Sequence, residues 1–311
     1  MKVVLCAPTG RAAKRMSEAT GEEASTIHRL LEIGKVEENG NLIDINYPIA
    51  PIDADVIIID EMSMVDIYIM NYILKGIYLG TKLILLGDSN QLPSVGPGSV
   101  LKDIIGSEKI PTIELSKIFR QAARSKIITN AHRVNNGETF TDNGNNEDED
   151  KLNDFFYINE SSPEKMLDIL ISLCTGRLKD YGEYDFFDNI QILSPTKKGM
   201  LGTKELNKKL QEVLNANTKV EKTYGDAVFR IGDKVIAIKN NYDIPWERKK
   251  DGSYETGTGI FNGELGIVTK IDNELRAMEI LFDDDKTAWY EYSDLEQIEH
   301  SYCITVHKSQ R

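Results

Sequence analysis

The sequence predicts an α/β protein built on parallel sheets, into which a small all-β module is inserted near the carboxyl-terminal end. Short apolar runs such as "VIII" lead directly into acidic, Gly or Pro turns, which is typical of strands buried on both faces of a parallel sheet. Helical patterns alternate with these runs as far as about residue 215, as in βαβ units. From about residue 224, short strands separated by Gly, Asp and Asn turns predict a barrel-like module of roughly 75 residues.

The predicted elements follow one another in a regular order, with no internal repeat. Strands are predicted at 2–7, 56–59, 81–88, 110–116, 188–196 and 302–311, and helices at 11–21, 24–34, 64–75, 125–137, 163–181 and 203–215. Asn39-Gly40 lies between two short alternating runs and predicts a two-residue hairpin turn. The acidic stretch 141–154 is expected to be a loop, because it has too little apolar surface to bury.

Composition limits the class of protein. The chain of 311 residues is long enough for two or more domains. It contains no apolar run of about 18 residues, and neither a transmembrane helix nor a signal peptide is expected from it. Its 37 Lys and Arg against 50 Asp and Glu give a net charge of −13, which taken alone argues against nucleic-acid binding. Many of the acids, however, are concentrated at 141–154 and 282–286. Three widely spaced cysteines indicate neither a metal site nor disulfides, and they favour a cytoplasmic location.

Two adjacent acids end the strand in "VIIIDEMSMVD". Asp60 and Glu61 lie at the carboxyl end of a predicted parallel strand, where α/β sheets place ligand chemistry. An acid in this position can hold magnesium, and its neighbour can deprotonate an attacking water. The alternative is a strand that simply ends at the solvent with two acids.

A second strand end, in "LILLGDSNQLPSVGPG", has the same layout. The strand ends in Gly87-Asp88, and Gln91 in the following loop is placed to contact a nucleotide phosphate; a solvent-facing amide is the alternative. Arg120 in "IFRQA" follows a strand and turn, and an arginine aimed across a cleft can stabilise charge in phosphoryl transfer. A surface arginine is the alternative there.

Three stretches carry residues suited to nucleic-acid phosphates or bases. "APTGRAAKRM" places Thr9 and Arg11 at a helix start, and "TVHKSQ" places Thr305 and His307 after a strand. Residues 242–254 are expected to be a loop in which Trp246, Lys249 and neighbouring aromatic and basic residues grip a single strand. The alternatives are that Trp246 packs on the barrel or that the module binds a proline-rich peptide. Asp283–Asp285 would repel DNA, so they are expected on the far edge of the module.

Taken together and in order, the motifs resemble those of one helicase family. They are "LCAPTGRAAKRM", "STIHRLL", "VIIIDEMSMVD", "LILLGDSNQLPSVGPGSVL", "IELSKIFRQA", "ILSPTKKGMLGTKELNKKLQ", "FNGELGIV" and "ITVHKSQ". This series resembles the RecD-like superfamily-1 DNA helicases of the exonuclease V alpha-subunit type, over nearly the whole chain. One alternative is a related family, the superfamily-1 helicases of the phage or relaxase-linked kind. The other alternative is a protein of a different class, a DNA-binding or interaction module without ATPase activity.

The resemblance implies a domain organisation. Residues 1–117 would form a first RecA-like domain, and residues 118–223 with 301–311 a second one, truncated at its carboxyl end. Residues 224–300 would be an SH3-like insertion, and a hairpin near 35–47 would be the strand-separating pin.

The resemblance also implies the site residues, cofactors and partners. ATP and Mg²⁺ would bind in the cleft between the two RecA-like domains. Asp60 and Asp88 would bind the nucleotide, Asp60 would also hold the magnesium ion, and Glu61 would be the catalytic base. Gln91 would sense the γ-phosphate, and Arg120 would be the arginine finger. Single-stranded DNA would run along five residues: Thr9, Thr26, His28, Thr305 and His307. Further implied partners are DNA duplex ends or junctions and other exonuclease V-type subunits. The resemblance also implies a role in DNA repair and recombination and movement along DNA in the 5′-to-3′ direction.

Two family motifs are absent from these residues. No G-x-x-x-x-G-K-[ST] phosphate loop occurs in the 311 residues, and the last family motif, which follows "HKSQ" in relatives, is absent too. The resemblance therefore predicts a fragment of a longer helicase with little or no ATPase activity of its own.

Overall fold

A computed structural model describes residues 1–33, 49–115, 124–141, 152, 154–182, 184–216, 220–250 and 252–310. The predicted Asn39-Gly40 hairpin, Arg120 and most of the acidic stretch 141–154 lie outside the described residues.

Four parallel strands form the sheet at the amino-terminal end. They are β1 (Val3–Ala7), β2 (Ala24–Thr26), β3 (Val56–Ile59) and β4 (Lys82–Leu85), in the order β2-β1-β3-β4. Cys6 pairs with Ile59, and Ile59 pairs with Leu85, so the carboxyl ends of neighbouring strands meet at the same edge of the sheet. The buried, β-branched β3 lies in the middle of the sheet, as its continuous apolar run predicts.

Helices cover this sheet and complete its core. They are α1 (Gly10–Thr20), α2 (Ile27–Leu30), a 3₁₀ turn (Met62–Met64), α3 (Ile67–Gly76) and α4 (Val100–Gly106). The helix predicted at 64–75 begins later, because the Asp66 carboxylate caps it and accepts from the Ile69 amide at 2.8 Å. The strand predicted at 110–116 is wrong, because residues 110–115 pair with no described strand and Ile113 is 91% exposed.

The next segment is mainly helical. It contains α5 (Lys126–Asn135), α6 (Pro163–Ser172), a π turn (Leu173–Arg177), α7 (Leu178–Gly182), β5 (Ile192–Ser194) and α8 (Thr203–Leu214). The helix predicted at 163–181 is therefore interrupted by one π turn. Leu206 and Leu210 of α8 pack with Ile192 of β5 in a small core of their own.

The β module follows as predicted. Its strands are β6 (Glu221–Tyr224), β7 (Ala227–Arg230), β8 (Lys234–Ala237), β9 (Asn241–Lys250), β10 (Ser253–Ile260), β11 (Leu265–Asp272), β12 (Ala277–Phe282), β13 (Thr287–Glu291) and β14 (Ile298–His300). Strands β6 and β7 form a hairpin, and the other seven form one antiparallel sheet of order β10-β9-β13-β12-β11-β8-β14. Every one of these seven strands contributes a side chain to a single hydrophobic cluster, so the sheet curls around one core.

The chain then returns to the parallel pair. Strand β15 (Cys303–Thr305) lies parallel to β5, and α9 (Val306–Ser309) follows it directly. The strand predicted over 302–311 is thus shorter than expected, because Thr305 ends it by capping α9. Among the described residues, no helix combines the length and apolar character that a membrane span requires.

Candidate nucleotide and nucleic-acid sites

The two acids of the first candidate site lie at the carboxyl edge of the parallel sheet. The Asp60 amide donates to the Cys6 carbonyl at 3.0 Å, and the Met62 amide donates to the Leu86 carbonyl at 2.9 Å. These bonds hold the segment after β3 between the ends of β1 and β4. Asp60, Glu61 and Asp88 therefore lie at the edge where the sequence predicts ligand chemistry.

Glu61 has a strained backbone. Its φ of 53° and ψ of 43° place it in the left-handed region, which is uncommon for a residue with a side chain. The Asp60 carboxylate accepts from the Glu61 amide at 2.8 Å and helps to hold this geometry. Such strain persists only where the surrounding structure imposes it, and it is concentrated at functional sites.

Gly87 lets the end of β4 approach this segment. A Cβ atom at Gly87 would lie 2.9 Å from Leu101 Cδ2 and 3.0 Å from the Met62 amide nitrogen. A side chain there would have to push Leu101 and the Met62 backbone aside, so the "LGD" sequence before Asp88 has a packing reason.

Neighbouring charges link the acids at this edge. Burial raises the pKa of Glu61, and the negative charges of Asp60 and Asp88 raise it further, while the charge of Arg15 on α1 opposes them. A carboxylate with a raised pKa is a better proton acceptor near neutral pH. The arrangement suits a general base at Glu61.

Gln91 lies in the loop after β4 and has a partner on another element. The backbone amide of Gln91 donates to the Asp88 carbonyl at 3.2 Å, which forms a tight turn. Its side-chain Oε1 accepts from Gln310 Nε2 at 3.1 Å, and Gln310 follows α9. The loop of the first sheet thus touches the end of the helix that follows β15. Sequence reasoning did not predict this contact, because it joins residues 219 positions apart.

The three threonines predicted on the DNA path have one structural role in common. Thr26 and Thr305 are the last residues of parallel strands, and Thr9 lies two residues after one. Each caps the next helix, with the hydroxyl accepting from an amide three residues on, at 3.2 Å for Thr9, 3.2 Å for Thr26 and 3.3 Å for Thr305. A hydroxyl that accepts one hydrogen bond still has its own proton to donate. Each of these threonines can therefore cap its helix and donate to a phosphate oxygen.

Two of these caps belong to a repeated unit. Thr26-Ile27-His28-Arg29 and Thr305-Val306-His307-Lys308 share the pattern Thr-x-His-basic. The two threonines also share backbone geometry, with φ and ψ of −72° and 149° at Thr26 and −74° and 153° at Thr305. The four-residue pattern is visible in the sequence, but sequence reasoning named its threonines and histidines separately and did not connect the two stretches.

Arg11 and Lys14, on the basic face of α1, meet the β module. Lys14 forms an ion pair with Asp284, and the charge of Arg11 acts on Asp283. The expectation that Asp283–Asp285 lie far from Trp246 is wrong. Asp284 is 3.2 Å from Lys286 Nζ, which itself lies 5.1 Å from the Trp246 ring centroid. The reason is pairing, because β13 lies beside β9 with Ala288 opposite Trp246.

The predicted single-strand loop at 242–254 is instead a β hairpin. Trp246 packs on the module core and covers Gly257, where a Cβ would lie 2.4 Å from its ring. Lys249 pairs with Tyr254, and because it is three residues from Trp246 it lies on the opposite face of the strand. The expected surface of interleaved Trp246 and Lys249 is therefore absent from this hairpin.

Comparison with known proteins decides the family. One family model, described as an AAA domain, matches residues 1–154, and another, described as an ATP-dependent RecD-like DNA helicase SH3 domain, matches residues 206–282. An ATP-dependent RecD2 DNA helicase of Deinococcus radiodurans is 31% identical over 311 residues, which cover all of this chain. The chain belongs to the RecD-like helicases.

This RecD-like chain matches only part of its relatives. It spans 38% of the Deinococcus protein and 58% of a RecBCD enzyme subunit RecD from Buchnera aphidicola, to which it is 26% identical over 369 residues. A crystal structure of a Bacteroides Pif1 helicase in complex with ADP-AlF3 and single-stranded DNA matches 99% of the chain and 74% of its own, with a TM-score of 0.51 and 18% identity. That likeness supports the RecA-like parallel-sheet fold.

The carboxylates of the RecD-like chain fit a magnesium ion that is shared with a nucleotide. Within the described part of the chain, no three His, Cys, Asp or Glu side chains form a group able to hold a metal ion. Mg²⁺ is usually bound through one or two carboxylates and substrate phosphates rather than by an all-protein cage. Asp60, with Asp88 at the same edge, suits that mode of binding.

Proposed function

We propose that this chain is part of the motor of an ATP-dependent DNA helicase that moves 5′ to 3′ along single-stranded DNA. The observation that carries the proposal is the repeated Thr-x-His-basic unit, which begins at the last residue of one strand of each parallel sheet and has the same capping geometry in both. Single-stranded DNA held by one Thr-x-His-basic unit on each RecA-like domain advances when the two domains move relative to each other.

The nucleotide half of the proposal uses the acidic edge. Asp60 would hold Mg²⁺ together with the phosphates of ATP, and Glu61, with its raised pKa, would accept the proton of the attacking water. Gln91 would contact the γ-phosphate, and Arg120 would act as the arginine finger from the second domain. Bound Mg²⁺ would supply charge neutralisation on the phosphates.

The nucleic-acid half uses the capping threonines. Thr9, Thr26 and Thr305 would donate to phosphate oxygens, and His28 and His307 would add contacts beside them. Duplex ends or junctions would be the substrates, and other exonuclease V-type subunits the protein partners, as expected for DNA repair and recombination in the cytoplasm. These statements rest on family membership and on the names of the relatives.

A second candidate is a DNA-binding module without ATPase activity of its own. Its support is the absence of a G-x-x-x-x-G-K-[ST] loop from the 311 residues, because the amides and lysine of that loop normally hold the phosphates. We therefore expect these 311 residues alone to hydrolyse ATP poorly, with or without DNA. Rapid DNA-stimulated hydrolysis in a phosphate-release assay would contradict this expectation.

The test of the DNA half is fluorescence anisotropy with a labelled oligothymidylate. His28→Ala and His307→Ala should each weaken binding by about tenfold, because each removes a hydrogen bond to a charged phosphate. His132→Ala is the matched control, since His132 is an exposed histidine on α5 and outside both repeated units. Equal affinity of all three variants and the wild type would reject the proposed DNA path.

A further inference from the structure

A charged contact joins α1 to the β module. We call residues Asp283–Asp285, between β12 and β13, the acidic turn. Its Asp284 carboxylate accepts from Lys14 on α1 and lies 3.2 Å from Lys286 of its own module. Burial raises the pKa of Asp283, and the nearby charge of Arg11 opposes that rise. Two cations at the start of α1 thus face two carboxylates of the acidic turn.

An apolar contact lies beside this charged one. Gly10 is the first residue of α1, and a Cβ atom there would lie 2.9 Å from Phe261 Cγ. Phe261 is held on the module side by Tyr242, whose ring centroid is 5.5 Å away in an edge-to-face arrangement. The module therefore contacts the amino-terminal end of α1 with an aromatic side chain as well as with its acids.

The module fixes the position of its acidic turn. Lys286 is 6% exposed, and its ammonium lies 3.5 Å from Glu264 and over the Trp246 ring. The Asp283 amide donates to the Leu265 carbonyl at 3.0 Å. The acidic turn is thus presented by a rigid frame, whereas Lys14 is a long side chain that remains 34% exposed. Lys14 can exchange one anionic partner for another without any change in the module.

We propose that the basic face of α1, made of Arg11 and Lys14, is a docking surface that the acidic turn and the phosphates of single-stranded DNA occupy alternately. The inference rests on the proposed function, because it requires DNA to run past Thr9 and α1. Carboxylate and phosphate oxygens have the same acceptor chemistry toward an ammonium group. DNA that enters along this edge must therefore displace the acidic turn, and the module must separate from α1.

The test is a double-mutant cycle on DNA affinity. Asp284→Asn removes the negative charge that competes with phosphate for Lys14. It should raise the affinity for oligothymidylate about two- to fivefold at low salt, because a partly exposed ion pair stabilises by a free energy of that size. It should also make the fall of log affinity with log salt steeper, because in the wild type salt weakens the competing Lys14–Asp284 ion pair as well as the contact with DNA. In a Lys14→Ala background the same substitution should give no such gain, because no ion pair is left to release.

A matched cycle separates this effect from general charge. Glu296 and Lys239 form an ion pair of 2.6 Å on the same module, so Glu296→Gln with Lys239→Ala makes the same changes of charge at another place. Phe261→Ala weakens the docking without changing any charge and should also raise DNA affinity. An equal gain from Asp284→Asn with and without Lys14, or an equal gain in the matched cycle, would overturn the inference. If wild type and all variants fail to bind DNA, the proposed function fails instead.

Discussion

Substitution of Asp233 tests how firmly the β module is attached to α8. Asp233 is fully buried and is the centre of a network that joins α8 to the module. Its carboxylate accepts hydrogen bonds from Gln211 Nε2 at 2.6 Å, Asn215 Nδ2 at 2.7 Å, the Arg230 amide at 2.7 Å and the Tyr302 hydroxyl at 2.8 Å, and it lies 3.0 Å from His300 Nε2.

The size of the effect follows from what Asp233→Ala leaves behind. The side-chain donors of Gln211, Asn215 and Tyr302 would lose their shared acceptor in a place that is closed to solvent. Removing one partner from a buried charged network costs about 3–5 kcal/mol. At about 2–4 °C per kcal/mol, the melting temperature should fall by roughly 6–20 °C.

Differential scanning calorimetry measures this loss, with Tyr302→Phe as the control. Tyr302→Phe removes one donor and leaves the carboxylate with its other partners, so it should cost only about 1 kcal/mol. A cost for Asp233→Ala as small as that of Tyr302→Phe would refute the central role of Asp233.

The dependence on pH gives an independent check. Burial alone raises the pKa of Asp233, but hydrogen bonding and charge from His300, with bonds from Arg230 and Asn215, outweigh burial and lower it. A lowered folded-state pKa gives stability that is present above the unfolded-state pKa and is lost as the pH falls through the folded-state pKa. The difference between wild type and Asp233→Ala should therefore shrink in acid.

Three further predictions concern the candidate nucleotide site. In a complete helicase that carries this chain, Glu61→Gln should remove ATP turnover and leave nucleotide binding, since Asp60 remains. In the chain itself the same substitution should raise thermal stability at neutral pH, because the raised folded-state pKa of Glu61 means that its ionised form destabilises the fold. This gain in stability should disappear below the unfolded-state pKa of Glu61. Gly87→Ala should destabilise the fold by about 1–3 kcal/mol in denaturant titration, because its Cβ would lie 3.0 Å from the Met62 amide; a neutral effect would show that the end of β4 adapts. Arg120→Ala in the complete helicase should lower kcat by about 10³–10⁵ and change KM little in steady-state kinetics; a raised KM alone would make Arg120 an ordinary binding residue.

The parallel sheet and its acidic edge were predictable because their signals are local. The run Val56–Ile59 followed by Asp60 and Glu61 gives both the strand and its end, and the structure has β3 at these residues. The left-handed backbone of Glu61 was not predictable, because it depends on the ends of β1 and β4, which are distant in sequence.

The surface of the β module was harder to predict, because it depends on strand register. Asp251-Gly252 is a hairpin signal that favours two strands over the expected loop around Trp246. Once β9 is a strand, alternation separates Trp246 from Lys249. The neighbour of β9 is β13, and that pairing brings the acidic turn beside Trp246. The sequence contains no local signal for the pairing of β9 with β13. Arg120 and the hairpin at 35–47 stay predictions.

The two attachments of the module differ in a way that indicates which one opens. Its contact with α8 and with the segment before β5 is the network of Asp233, which is fully buried, and Lys234 adds a hydrogen bond of 2.9 Å to the Ile190 carbonyl. Its contact with α1 includes the ion pair of Lys14 and Asp284, whose side chains are 34% and 25% exposed. Breaking a buried network leaves polar groups without partners, whereas water and salt can replace a partly exposed ion pair at small cost. If the two parallel sheets move relative to each other, as the proposed function requires, the module should therefore stay with α8 and separate from α1.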